Sequence, residues 1–182
     1  MNKDLRNFLT AWARETSGTL ALLDALPKDK YDTRAEPGGR SIGELAWHLA
    51  EVEAYVSSGI AQGGFTFQMK PPHLARPRRV EELAPAFQIV HDEAVARVLV
   101  LEDADLDREI RHADGNLYTI RDLLWRRLLL QAVHHRGQLT VLCRIAGGVP
   151  PALFGRTRED TPPPRSVSAT KESDATMSSE AK

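Results

Sequence analysis

TIRDLLWRRLLLQAVHHRGQLTVLCRIAG, residues 119–147, carries the pattern that decides the fold. Its apolar residues Ile120, Leu124, Leu128, Leu139, Leu142 and Ala146 recur at helical spacing and form one stripe. Gln131 and His135 interrupt that stripe at its middle. Being four apart, they share a face, one turn from each other. A polar pair at the centre of an inward stripe has to be hydrogen-bonded or bound to something, because an unpaired buried polar group costs about 1–3 kcal/mol. Thr119 reads as the N-cap, with Asp122 near the positive end of the helix dipole, and Gly147-Gly148 followed by Pro150-Pro151 ends the helix.

Three further helices precede this one. Residues from about 4 to 26 carry Leu5, Phe8, Leu9, Trp12, Leu20 and Leu23 on one face, and Pro27 stops the run. After a Pro-Gly-Gly loop, Ser41-Ile42-Gly43-Glu44 forms a capping box that opens the second helix. Leu45, Leu49, Val52 and Val56 are its stripe, His48 lies on the same side, and it is expected to end near residues 57–59. AQGGFTFQMKPPHLARP, residues 61–77, reads as a long crossing loop. A third helix over about 80–101 buries Leu83, Phe87, Val90, Ala94, Val98 and Leu101. IRHADGNLYTI, residues 110–120, suits a small hairpin around Asp114-Gly115. The expected fold is therefore all-α: a four-helix bundle with a long crossover loop over residues 1–155, and a disordered polar tail over 156–182, which has almost no large apolar residue.

Composition narrows the function classes. Net charge is −1 over 182 residues, with acids and bases interspersed, which argues against a nucleic-acid footprint. No run of about 18 apolar residues exists to span a membrane, and the N-terminal MNKDLRNFLTAWARE has no uninterrupted apolar core of the signal-peptide kind. The single cysteine, Cys143, excludes an internal disulfide, fits a cytoplasmic setting and reads as a packing residue.

The chemistry rests on His48 and His135, each on the core side near the middle of its helix. Bundles build metal sites this way, and neutral imidazole suits zinc, nickel, copper and iron. With only two inward histidines, Gln131 would be the third ligand, and a neutral amide oxygen is a poor partner for a borderline-soft cation. Glu51, one turn after His48, could approach a metal, accept a hydrogen bond from its ligand, or carry a proton. The plainer readings stand beside these: a hydrogen-bonded core histidine, a Gln in a polar network, and a solvated Glu51. Glu44 belongs to the capping box, and His134 falls on the flank. His73, His91 and His112 read as surface residues. Gly137, costly inside a helix by roughly 1 kcal/mol, suggests close approach of another helix or subunit.

RSIGELAWHLAEVEAY in the second helix and HHRGQLTVLCRIAGGVPPALFG at the end of the fourth resemble the DinB/YfiT-like family, over roughly residues 5–155. The resemblance implies a four-helix bundle, often dimeric, with a divalent metal (zinc, nickel, iron or manganese) held by three histidines. His48 matches the histidine of the family's Trp-His-Leu motif. His135, with Arg136 and Gln138, matches the end of its His-x-x-x-His-Arg-x-Gln motif. The first histidine of that motif falls on Gln131, a departure from the pattern. The resemblance also implies a small-molecule substrate or a low-molecular-weight thiol, such as bacillithiol or mycothiol, and thiol-transferase or hydrolase chemistry. The alternative is a metal-free bundle that binds a small ligand or acts as a structural homodimer.

Overall fold

The computed structural model describes residues 3–66 and 73–160. Among them four helices form the expected bundle: α1 (Lys3–Asp24), α2 (Ile42–Gln62), α3 (Leu83–Leu99) and α4, which runs in three consecutive pieces, Ile120–Asp122, Leu123–Leu129 and Leu130–Ile145. Between α3 and α4 lies the hairpin expected from the sequence, with β1 (Glu109–Arg111) antiparallel to β2 (Leu117–Thr119) and Ile110 opposite Tyr118. Gly115 turns it with φ 87°, a left-handed conformation that suits glycine.

Side-chain pairs across the bundle fix the helix directions. Asp4 pairs with Arg121, Phe8 with Trp125 and Glu15 with Arg136, so α1 and α4 run parallel. Glu53 pairs with His91 and Ser57 with Arg97, so α2 and α3 also run parallel. Two parallel neighbours cannot be joined by a tight turn, so the long 63–82 connection is a geometric necessity. α2 against α4 and α1 against α3 are the antiparallel pairs.

Local chemistry sets the ends of α2. Ser41 Oγ accepts from the Glu44 N–H at 3.2 Å, and the Glu44 carboxylate accepts from the Ser41 N–H at 2.9 Å. Arg34 adds a 2.6 Å bond to the same carboxylate. That guanidinium, ahead of the Ser41 N–H, pulls the Glu44 carboxyl from the ordinary 4.5 to about 2. Gly43 has no side chain because the Tyr31 ring occupies its place: a Cβ there would lie 2.1 Å from the ring. The helix runs to Gln62, about one turn past the end expected near 57–59, and stops at Gly63 with φ 72°. Gly59 explains the miss. It reads as a stop signal, but it is the seat of the Phe65 ring, which folds back to within 2.1 Å of where a Cβ would stand.

α4 differs from a regular helix. Leu123–Leu129 is π-helical, and the Leu130 N–H reaches the carbonyl of Trp125, five residues back. One extra residue in a turn rotates everything after it by about 100°. Leu123, Leu124, Leu128 and Leu129 are therefore all buried, and the inward residues that follow are Ala132, Arg136, Leu139, Leu142 and Cys143. Gln131 and His135 are turned from the centre of the stripe to its half-buried flank.

The core has two apolar clusters. One joins Leu22, Leu23, Leu45, Leu49, Phe87 and Leu139, and the other joins Leu5, Phe8, Val56, Ile60, Val98 and Leu124. Between them lies a polar layer that the sequence reading did not find. The Glu53 carboxylate accepts from Trp12 Nε1 at 2.9 Å and lies 2.8 Å from His91 Nδ1. His91 is thus a core residue, 7% exposed, and not the surface histidine expected. His112 is also corrected, since its ring packs among Tyr55, Phe65 and Tyr118. His73 does stand exposed, and Cys143 is buried, its thiol pushed up by burial.

Gly137 has open space around its missing side chain, so it makes no close helix approach among the described residues. Residues 149–160 fold back along α4, where Phe154 lies against the Arg136 guanidinium and Glu159 takes two bonds from Arg144. Residues 156–160, which composition assigned to the tail, carry a 3-10 turn (Arg158–Asp160). The rest of that expected tail, 161–182, lies outside the described residues.

Candidate metal centre

His48 comes from the middle of α2 and His135 from α4, its antiparallel neighbour, and the structure brings the two rings together. Their centroids lie 4.7 Å apart, with the planes at 70°. Each ring is oriented by a partner three residues on along its own helix. His48 Nδ1 lies 3.0 Å from Glu51 Oε2, and His135 Nδ1 lies 3.0 Å from Gln138 Oε1. A carboxylate or amide oxygen at Nδ1 fixes the tautomer with the proton there, which leaves Nε2 as the lone-pair nitrogen. Burial holds the His135 pKa below the ordinary histidine value against the Gln138 bond, and the charges of His48, His134 and Arg40 push it the same way. A neutral imidazole is the form that binds a metal.

Gln131 lies one turn before His135 on α4 and is half-buried. His134 is exposed, with its ring 5.1 Å from that of His135. Glu51 keeps substantial exposure while bonding His48, so it stands between the two readings given to it: partly solvated, yet the acceptor that orients a histidine. Among the described residues, no three His, Cys, Asp or Glu side chains converge as a metal site would require. The donors brought together are two imidazoles, each with Nδ1 engaged, and Gln131 lies one turn from His135 along α4. Two imidazoles fall short of the three protein ligands of a catalytic metal site, so an ion held here would need a further donor and would bind more weakly than to three imidazoles.

Arg136, part of the motif in sequence, takes no part in this cluster. Its buried guanidinium bonds the Glu15 carbonyl at 2.6 Å and the Glu15 carboxylate, tying α4 to α1. Its role is architectural: it holds the helix whose next face presents His135. Among the described residues, no helix is long and apolar enough to cross a membrane.

Known proteins share this architecture. The chain is 26% identical over 164 residues to the uncharacterized protein YrdA of Bacillus subtilis, covering 88% of this chain and 93% of that one. A DinB-like protein from Bacillus cereus superposes with a TM-score of 0.69 at 27% identity, over 81% of this chain and 95% of the other. A second, YjoA from Bacillus subtilis, gives 0.66 at 25% identity, over 83% and 99%. YfiT from Bacillus subtilis, described as a probable metal-dependent hydrolase with an unusual four-helix bundle topology, gives 0.63 at 16% identity over 81% and 90%, a likeness of fold. The DinB family's sequence profile matches residues 1–166, so the chain belongs to the DinB family.

Proposed function

We propose that the protein is a divalent-metal-dependent enzyme of hydrolase or thiol-transferase type, acting on a small molecule or with a low-molecular-weight thiol, at a site altered to His48, Gln131 and His135. The observation that carries this reading is the pairing of His48 and His135 with both Nδ1 atoms engaged, by Glu51 and Gln138. A ligand histidine holds one ring nitrogen through a partner and offers the other, and here the two paired rings each engage Nδ1 while His48 stands partly in water. The metal use described for YfiT agrees with it.

His48 and His135 would hold the ion through Nε2, with the Gln131 amide oxygen or a water as third donor. A divalent ion bound there supplies a Lewis acid that lowers the pKa of a water or thiol. Glu51 orients His48 and, being partly in water, is placed to pass a proton between the site and solvent. The depressed pKa of His135 keeps that ring neutral near pH 7, so no proton need be expelled before it binds metal.

A second reading is favoured by Gln131: the site has lost its metal, and His48, His135 and the amide line a pocket for a small ligand. Elemental analysis of untagged protein separates the two. Close to one zinc, nickel, iron or manganese per chain, lost in His48→Ala, supports the enzyme reading. No metal in the natural protein, but stoichiometric metal in Gln131→His, supports the second. A homodimer belongs to the proposal too: Leu130 and Ile145 stand exposed on α4 on either side of Gly137, and a net charge of −1 opposes self-association little. Sedimentation velocity at micromolar concentration tests it, and a monomer there would end it.

A further inference from the structure

Beside the His135 cluster lies a cavity of about 490 Å³, lined by the 35–40 loop on one wall and by α2 and α4 on the other. Its apolar floor is Leu45 and Leu142, both nearly buried, with Val141 at the rim. Gln138 belongs to the same lining and bonds His135, so the cavity adjoins the residue that orients one histidine of the candidate centre. Two charged side chains, Arg40 and Glu36, stand at its mouth.

Arg40 differs from its neighbours. Arg34 is committed to the Gly39 carbonyl and Glu44, and Arg76 to Glu44. Arg40 has no hydrogen-bond or ion-pair partner among the described residues, although its charge reaches His135. Its backbone is nonetheless held on both sides. Before it, a turn from the Gly39 N–H to the Glu36 carbonyl is clamped by Arg34, and after it comes the buried capping residue Ser41. A guanidinium on a fixed backbone, unpaired, over an apolar floor and next to a catalytic-type centre is the arrangement that orients an anionic ligand.

We propose that this cavity is the substrate pocket and that it selects a small amphipathic monocarboxylate, its carboxylate on Arg40 and its apolar body on Leu45 and Leu142. Glu36 at the same mouth repels a second negative charge, so a monoanion is preferred to phosphate or a dicarboxylate. The assignment rests on the metal-centre reading only for what the bound molecule would undergo, since binding itself needs no metal.

The test uses the full chain, treated with chelator, and three probes of equal chain length: hexanoate, hexan-1-ol and hexylammonium. Methyl NMR of Leu45, Val141 and Leu142 locates binding and gives affinities. Hexanoate is expected to shift these methyls and to bind roughly fivefold more tightly than hexanol, the size of an exposed charge contact. Arg40→Gln should remove that preference and leave hexanol binding unchanged, while Glu36→Gln should strengthen hexanoate. Equal affinity for hexanoate and hexanol, a preference for hexylammonium, shifts confined to other methyls, or no binding by any probe would each overturn the proposal. Failure here with metal still bound at His48 and His135 removes the pocket assignment alone. Probe binding to a chain that takes up no metal removes the enzyme reading alone.

Discussion

Glu51 and Glu53 stand two residues apart on α2, about 200° around the helix, and each lies within hydrogen-bond distance of a histidine Nδ1. Their surroundings make them opposites. Glu53 is 2% exposed, and both its oxygens are occupied, one by His91 and one by Trp12. His91 is closed in as well, stacked on Phe87 and edge-on to Trp12, with Thr16 Oγ1 at 3.4 Å from its Nδ1. Glu51 and His48 are partly in water, and the His48 ring meets a second imidazole whose Nδ1 is likewise taken. The same residue pair is thus a structural tie between the two core clusters in one place and a candidate ligand assembly in the other. Side-chain identity does not separate them. The difference lies in burial: the Glu53–His91 pair is sealed in the core, whereas the Glu51–His48 pair reaches water.

The largest expected effect tests the closed pair. Glu53→Ala leaves the buried His91 and the Trp12 N–H without their acceptor, and urea unfolding should show a loss of about 3–5 kcal/mol. A loss under about 1 kcal/mol would mean that the layer is not the tie described. The open pair should respond to metal instead. Gln131→His, completing three imidazoles, is expected to raise the unfolding free energy by about 2.7 kcal/mol when free zinc is a hundredfold above its dissociation constant. Chelation should reverse the gain, and an unfolding curve indifferent to zinc would count against the site.

Without metal, His48→Ala should change stability by no more than about 1 kcal/mol, because the side chain, 21% exposed, already reaches solvent and its partner Glu51 can turn to water. A change as large as that of Glu53→Ala would erase the contrast between the two pairs. The smallest effect belongs to the entry of α2. Because the Glu44 pKa is depressed in the folded protein, its contribution is present above about 4.5 and lost as pH falls through about 2. Arg34→Ala should bring the carboxyl back toward 4.5 in a carbon-detected NMR titration and flatten stability across that window. A carboxyl that still titrates near 2 would show that the Ser41 N–H suffices.

Part of the candidate centre is legible in residue order. His48 follows Leu45 and precedes Val52 on one face, and His135 lies one turn after Gln131, so their presence toward neighbouring helices follows from spacing. Their meeting does not, because it depends on α2 and α4 being adjacent and antiparallel. The missed His91 shows the limit from the other side. It lies four residues after Phe87 and three before Ala94, within the inner stripe, yet its meaning depends on Glu53, 38 residues earlier and across an interface. The π-helical turn was hidden for another reason. LLWRRLL has apolar pairs at steps of four and of five, and the wider turn is seen only in the packed helix, where the segment lies against both α1 and α2.

The sequence alone determined the helix count, the capping box at Ser41, the Thr119 cap, the hairpin around Gly115 and the family, because caps, turns and periodicity act between residues a few positions apart. Tertiary structure alone decided which helices run parallel, which polar pair is sealed and which is open, and where Arg40 stands relative to His135. Those depend on contacts between residues tens of positions apart, whose free energy resides in the packed interior and leaves no local mark on the chain.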